Sequence, residues 1–157
     1  YFKCATVEEP GWRIEGKKTM GLELAEPWPE FKSQWSLPDA ILYPTGGGTG
    51  ILGMWKAFDE LEQLGVIGSK RPKIIAIQST VNAPVVNAFQ QGLDDTIATD
   101  GGDTIATGIN VPGGIGHKAV LRILRQSNGG AISVSEEQIA LHVKDIYQKF
   151  GIWISPE

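Results

Sequence analysis

The stretch Ala40–Gly53, AILYPTGGGTGILG, decides how this 157-residue chain reads. Ala40–Tyr43 is an apolar run of the kind expected of a strand buried on both faces of a parallel sheet. Five residues follow in which Gly46, Gly47, Gly48 and Gly50 are glycine and Thr49 carries a hydroxyl. Without Cβ atoms the backbone stays open to a close ligand. A helix is predicted from about Ile51, so its unpaired N–H groups and the positive end of its dipole face the loop. Strand, glycine turn and helix N-terminus in this order make a cradle for a phosphate.

The flanking sequence supports that local reading. Ile51, Met54, Trp55, Phe58 and Leu61 recur on one side of the helix, with Lys56, Asp59, Glu60, Glu62 and Gln63 on the other, and Gly65 is placed to cap it. Lys73–Gln78, KIIAIQ, is a second buried strand, which completes a βαβ unit. Asn82–Gln91 reads as a helix with Pro84 in its first turn, and Gly116–Gln126 as another with Val120, Ile123 and Leu124 inward. Gly130–Val134 is a third strand. Ser135 and Gln138 form a capping box, starting a helix with Ile139, Val143, Ile146, Tyr147 and Phe150 as its stripe and Gly151 at its end. Ile152–Ser155 reads as a fourth short strand. Upstream, Glu15–Glu26 reads as a helix, followed by a loop that Trp28, Phe31 and Trp35 pin to the body. The expected fold is a single α/β domain over 1–157, a mainly parallel sheet in three layers with helices on both faces.

Residues 92–114 have no periodicity. They hold Asp95-Thr96-Ile97-Ala98-Thr99 and, again, Asp103-Thr104-Ile105-Ala106-Thr107. Two copies make no solenoid, and a loop of this length is expected to be functional or disordered. The chain opens on Tyr1 and closes on Ser155-Pro156-Glu157, which reads as a piece of something longer.

Composition narrows the partners. A formal charge of −4 argues against nucleic acid. No apolar run reaches the roughly 20 residues needed to cross a bilayer, and no secretory signal is visible, so a cytoplasmic location is expected. One cysteine, Cys4, and two distant histidines, His117 and His142, argue against a zinc site, so no metal is expected. Cys4 reads as a small apolar residue, and both histidines as packing residues. Lys17 and Lys18 read as a solvated helix face, with a substrate phosphate as the alternative. Arg122 and Arg125 also read as exposed.

The phosphate has several possible owners. The P-loop pattern needs a lysine directly after its last glycine, and here none follows Gly50 until Lys56. Gly48-Thr49-Gly50-Ile51-Leu52-Gly53 matches the dinucleotide fingerprint, but the acidic ribose partner expected near Gln78 is absent.

Tyr43-Pro44-Thr45-Gly46-Gly47-Gly48-Thr49-Gly50, continued by Gly53–Leu61, resembles the phosphate loop and following helix of pyridoxal-phosphate enzymes of the tryptophan-synthase-β type. Arg13–Gly21, Thr104–Pro112 and Ser155-Pro156-Glu157 resemble the threonine synthase family among them, with threonine dehydratase the nearest relative. The resemblance implies that Gly46, Gly47, Gly48, Thr49 and Gly50 hold the phosphate of pyridoxal 5'-phosphate. It implies a lyase that takes a small-molecule amino-acid substrate, converting O-phosphohomoserine and water to threonine and phosphate. It also points to Thr104–Gly108 as a segment that closes over the substrate, with a plain loop as the equal alternative, and it suggests a homodimer of the full-length enzyme. The family's cofactor-binding lysine has no match here. Phe2-Lys3-Cys4 echoes it only superficially, so no catalytic residue is assigned and the chain alone is expected to be inactive. A serine or threonine dehydratase and a non-catalytic phosphate-binding domain are the alternatives.

Overall fold

The structure, a computed structural model, describes residues 11–157. Cys4 and Phe2-Lys3-Cys4 lie outside the described residues. The three apolar runs form strands β1 (Ala40–Pro44), β2 (Lys73–Ser79) and β3 (Gly130–Val134). All pair in parallel in the order β1-β2-β3, with Tyr43 opposite Ala76 and Ala76 opposite Ala131. Among the described residues there are five α-helices, of which α2 (Thr49–Gln63), α3 (Pro84–Gln90) and α4 (His117–Gln126) lie between strands, α1 (Trp12–Ala25) precedes β1 and α5 (Glu136–Phe150) follows β3. This is the expected α/β class with a parallel sheet.

Side chains alternate across a strand, so parallel partners share a face. Ile41, Ile74, Ala76 and Ala131 point into the core, where Met54 and Phe58 of α2, Val85 and Val86 of α3, and Leu121 and Leu124 of α4 meet them. Burying each of the larger side chains contributes about 1.5–3 kcal/mol. The alternate positions are different. Leu42 is 60% and Ile132 47% exposed. The reading of β1 as buried on both faces is therefore corrected: among the described residues β1 is an edge strand, and its second face is thinly covered.

Helix α2 begins at Thr49, two residues before the expected start, because Gly48 adopts the left-handed conformation at its N-cap (φ +84°). Its apolar side is buried as expected. At its end Gly65 has φ +70°, and the Val66 N–H reaches the Leu61 carbonyl oxygen at 2.9 Å. Helix α1 also starts early, at Trp12, behind a left-handed Gly11. It lies against α2 almost backbone to backbone. A Cβ on Gly21 would stand 2.7 Å from the Ala57 Cβ, and one on Gly53 would stand 2.5 Å from the Lys17 Cβ. Lys18 ties the same helices together, its Nζ 2.8 Å from Glu60 and 2.9 Å from Glu15.

The Ser135 capping box is present, and Gly151 closes α5 in the left-handed region. The expected stripe of α5 is only partly buried. Ile139 is buried, while Tyr147 and Phe150 are 52% and 65% exposed. Ile152–Ser155 forms no strand; Trp153 instead packs edge-on against Tyr147, with ring centroids 5.6 Å apart. Phe31, read as an anchor, is 82% exposed, because the Trp28–Lys32 turn projects it outward. Among the described residues, no helix is long and apolar enough to cross a membrane.

Candidate functional site

A cavity of about 490 Å³ opens where β1 ends and α2 begins. Gly46–Gly50 form one wall, as the sequence anticipates. Each glycine has its own reason to be there. Gly48 needs its positive φ, and a Cβ on it would overlap Val120. A Cβ on Gly50 would run into the Tyr43 hydroxyl, and one on Gly46 would press on Val111 at 3.0 Å. A Cβ on Gly47 would meet nothing within 4 Å, so the backbone there borders open space.

The helix end itself suits an anion. No side chain caps the N-terminus of α2. Among the described residues, no carbonyl or side chain accepts from the amides of Gly46, Gly47, Gly48, Thr49 or Gly50. Because α2 starts at Thr49, the N–H groups of Thr49 and Gly50 belong to its first turn, where the dipole is felt most. The donors therefore fit a phosphate. Pyridoxal 5'-phosphate is a group such donors could hold, and where bound it would supply an electron sink for carbanions.

Two cations line the same cavity. Arg13 and Lys17 stand one helical turn apart on α1, and Gly53 lets that helix approach closely enough to present them. Reading Lys17 with Lys18 as one solvated face missed this difference. Lys18 is consumed by Glu15 and Glu60, whereas among the described residues Arg13 and Lys17 have no carboxylate partner. The i, i+4 spacing of Arg13 and Lys17 was a visible signal. The choice of face was not visible without α2.

On the far side Gly108, Ile109 and Val111 complete the wall. Of the Thr104–Gly108 segment, Gly108 alone reaches it. The 92–114 region is tied down by side chains. The Thr99 hydroxyl donates to Asn82 at 2.6 Å, Asn82 donates to Asn110 at 2.6 Å, and the Gly108 N–H donates to Glu157 at 2.8 Å. Burial opposes the charge of Glu136. The Ser79 hydroxyl, the Ile105 amide and the Thr104 hydroxyl outweigh it and hold its carboxyl below the usual value. The two DTIAT copies take unrelated roles, Thr96 bonding to His117 and Thr104 capping the Ala106 amide.

Gln78 stands where a dinucleotide fold would place its acid. It is buried instead, donating to the Thr45 carbonyl oxygen at 2.9 Å and accepting from the Val85 and Val86 amides. It fastens the end of β1 to the start of α3. His142 is exposed on α5, so its packing role is corrected, and Arg122 and Arg125 are exposed as expected. His117 is fully buried, with Nε2 2.8 Å from the Gly46 carbonyl oxygen. Packing alone does not describe it, because it holds the loop itself.

The profile of the family described as "Pyridoxal-phosphate dependent enzyme" matches residues 3–157. The chain belongs to the pyridoxal-phosphate dependent enzyme family. Its cofactor is accordingly pyridoxal 5'-phosphate. Threonine synthases of Methanocaldococcus jannaschii and Methanosarcina acetivorans are each 32% identical over 145 residues, 92% of this chain and 34% of theirs. The chain thus spans about a third of the length of these curated relatives. The fold resembles maize serine racemase, with a TM-score of 0.66 at 23% identity over 92% of this chain and 40% of that one. It also resembles the processed form of threonine deaminase isoform 2 from Solanum lycopersicum, with a TM-score of 0.66 at 22% identity over 98% of this chain and 39% of that one.

Proposed function

We propose that this chain is the cofactor-phosphate-holding part of a longer threonine synthase, a lyase that converts O-phosphohomoserine and water to threonine and phosphate. One observation carries the reading: a single cavity faces the Gly46–Gly50 amides on one wall and the cations Arg13 and Lys17 on another. Two anionic groups suit such a cavity. The amides of Gly46, Gly47, Gly48, Thr49 and Gly50 take the cofactor phosphate, aided by the Thr49 hydroxyl. Arg13 and Lys17 attract the phosphate of the substrate, where a point charge and a planar fork are both effective. The 32% identity to two archaeal threonine synthases supports the same reaction.

A dehydratase acting on threonine or serine is the second reading, favoured by the likeness to a threonine deaminase. Its substrate carries no phosphate, so it leaves Arg13 and Lys17 without a task. The test uses the full-length enzyme with Arg13→Ala and Lys17→Ala. Phosphate released from O-phosphohomoserine, with KM raised about tenfold or more by either variant, supports the synthase. Ketoacid formed from threonine, with KM unchanged in both variants, supports the dehydratase. No turnover of either substrate favours a domain that binds phosphate without catalysis.

A further inference from the structure

His117 opens α4, and its ring is fully buried behind the glycine loop. Every polar atom of the ring is engaged. Nε2 lies 2.8 Å from the carbonyl oxygen of Gly46, and a carbonyl can only accept, so Nε2 carries the hydrogen. Nδ1 accepts the Gly114 N–H at 3.1 Å and lies 3.0 Å from the Thr96 hydroxyl, so it is unprotonated. The two constraints agree on one neutral tautomer. In a trans peptide the C=O of one residue and the N–H of the next point in opposite directions. Holding the Gly46 carbonyl toward His117 therefore turns the Gly47 N–H away from the ring, at the residue whose missing Cβ borders open space.

We propose that His117 is a positioning residue for the phosphate loop: its Nε2–H holds the Gly46 carbonyl and so aims the Gly47 amide into the cavity. The ligand consequence rests on the reading that this cavity takes the cofactor phosphate. A neutral ring meets the geometry, since a proton on Nδ1 would confront the Gly114 N–H. Asp95, on the loop that packs over the ring, is the charge acting on it in favour of the cation. Arg13 and Lys17 of α1 line the cavity beyond, Lys118 follows on α4, and the first two turns of α2 carry no charge before Lys56.

The test compares two amides. In His117→Asn the side-chain oxygen replaces Nδ1 against Gly114 but cannot reach Gly46. In His117→Gln the amide nitrogen replaces Nε2. The proposal expects the Gly47 amide resonance to move in H117N and to stay in H117Q. It expects the dissociation constant for pyridoxal 5'-phosphate to rise about tenfold in H117N and to change less than about threefold in H117Q. Binding of pyridoxal, which lacks the phosphate, should be equal in all three chains. Equal pyridoxal 5'-phosphate affinity of H117N and the parent, or equal losses in both variants, overturns it. If neither variant folds, the ring nitrogens of the parent decide: a proton found on Nδ1 overturns the proposal, and one on Nε2 upholds it. The Gly47 resonance and the tautomer need no ligand. A parent that binds no pyridoxal 5'-phosphate therefore defeats the cofactor reading and leaves this one to be decided on those two measurements.

Discussion

Gly53 and Lys17 lie so close that a Cβ on Gly53 would stand 2.5 Å from the Lys17 Cβ and 2.9 Å from the Ile14 carbonyl oxygen. This contact sets the distance between α1 and α2, and with it the placement of Arg13 and Lys17 over the loop. Gly53→Ala gains helix propensity, about 0.5–1 kcal/mol. It also overpacks a backbone contact, which costs about 1–3 kcal/mol. The expected net is a modest destabilisation in urea unfolding. A larger loss is expected in affinity for a phosphorylated amino acid, measured by equilibrium dialysis. Unchanged affinity would remove the role given to this helix contact.

Gly48 and Gly47 are adjacent but differ in what they constrain. Gly48→Ala places a side chain at φ +84° and against Val120. The two penalties together predict a loss of about 2–5 kcal/mol in stability, read from the denaturant midpoint. A variant as stable as the parent would show that the loop relaxes freely.

At Gly47 stability and binding should separate. A Cβ there meets no atom of the protein, so Gly47→Ala should change stability by less than about 0.5 kcal/mol. The same methyl stands where the phosphate is expected, and affinity for pyridoxal 5'-phosphate should fall at least about tenfold. Titration calorimetry beside a thermal melt distinguishes the two effects.

The pH dependence follows from His117. Burial pushes its pKa below the ordinary histidine value, against the opposing pull of the Gly46 carbonyl and Asp95. The unfolded chain therefore takes up the proton first as pH falls. The stability from this residue is complete above about pH 6.5 and is lost as pH drops toward the lower folded-state value. The slope is at most about 1.4 kcal/mol per pH unit. His117→Gln should flatten stability between the ordinary histidine value and the onset of carboxylate titration. A parent whose stability is level through that range would contradict the assignment.

The thinly covered sheet face carries Leu42 and Ile132, exposed by 60% and 47%. An apolar face beside an open strand edge promotes association. The isolated chain should sediment as more than a monomer at high concentration, and Leu42→Lys should shift it toward the monomer.

Local patterns along the chain dictated the parallel order of its elements. Gly65, Gly151 and the Ser135 capping box act through local geometry, and each stands in the structure where its residues imply. The loop Gly46–Gly50 was legible for the same reason, because a strand, four glycines and a helix start form a local pattern. What surrounds that loop was set by tertiary packing. Thr49 rather than Ile51 opens α2 because Gly48 takes the left-handed conformation at its N-cap, where Val120 leaves no room for a Cβ. Arg13 and Lys17 face the cavity, and Lys18 does not, because Gly53 fixes how α1 lies on α2. His117 meets Gly46 across 71 positions, a separation at which no periodicity carries information. Tyr147 and Phe150 have the spacing of a buried stripe but remain exposed. An apolar face specifies that it can be buried, and only the packing of distant segments provides the surface that buries it.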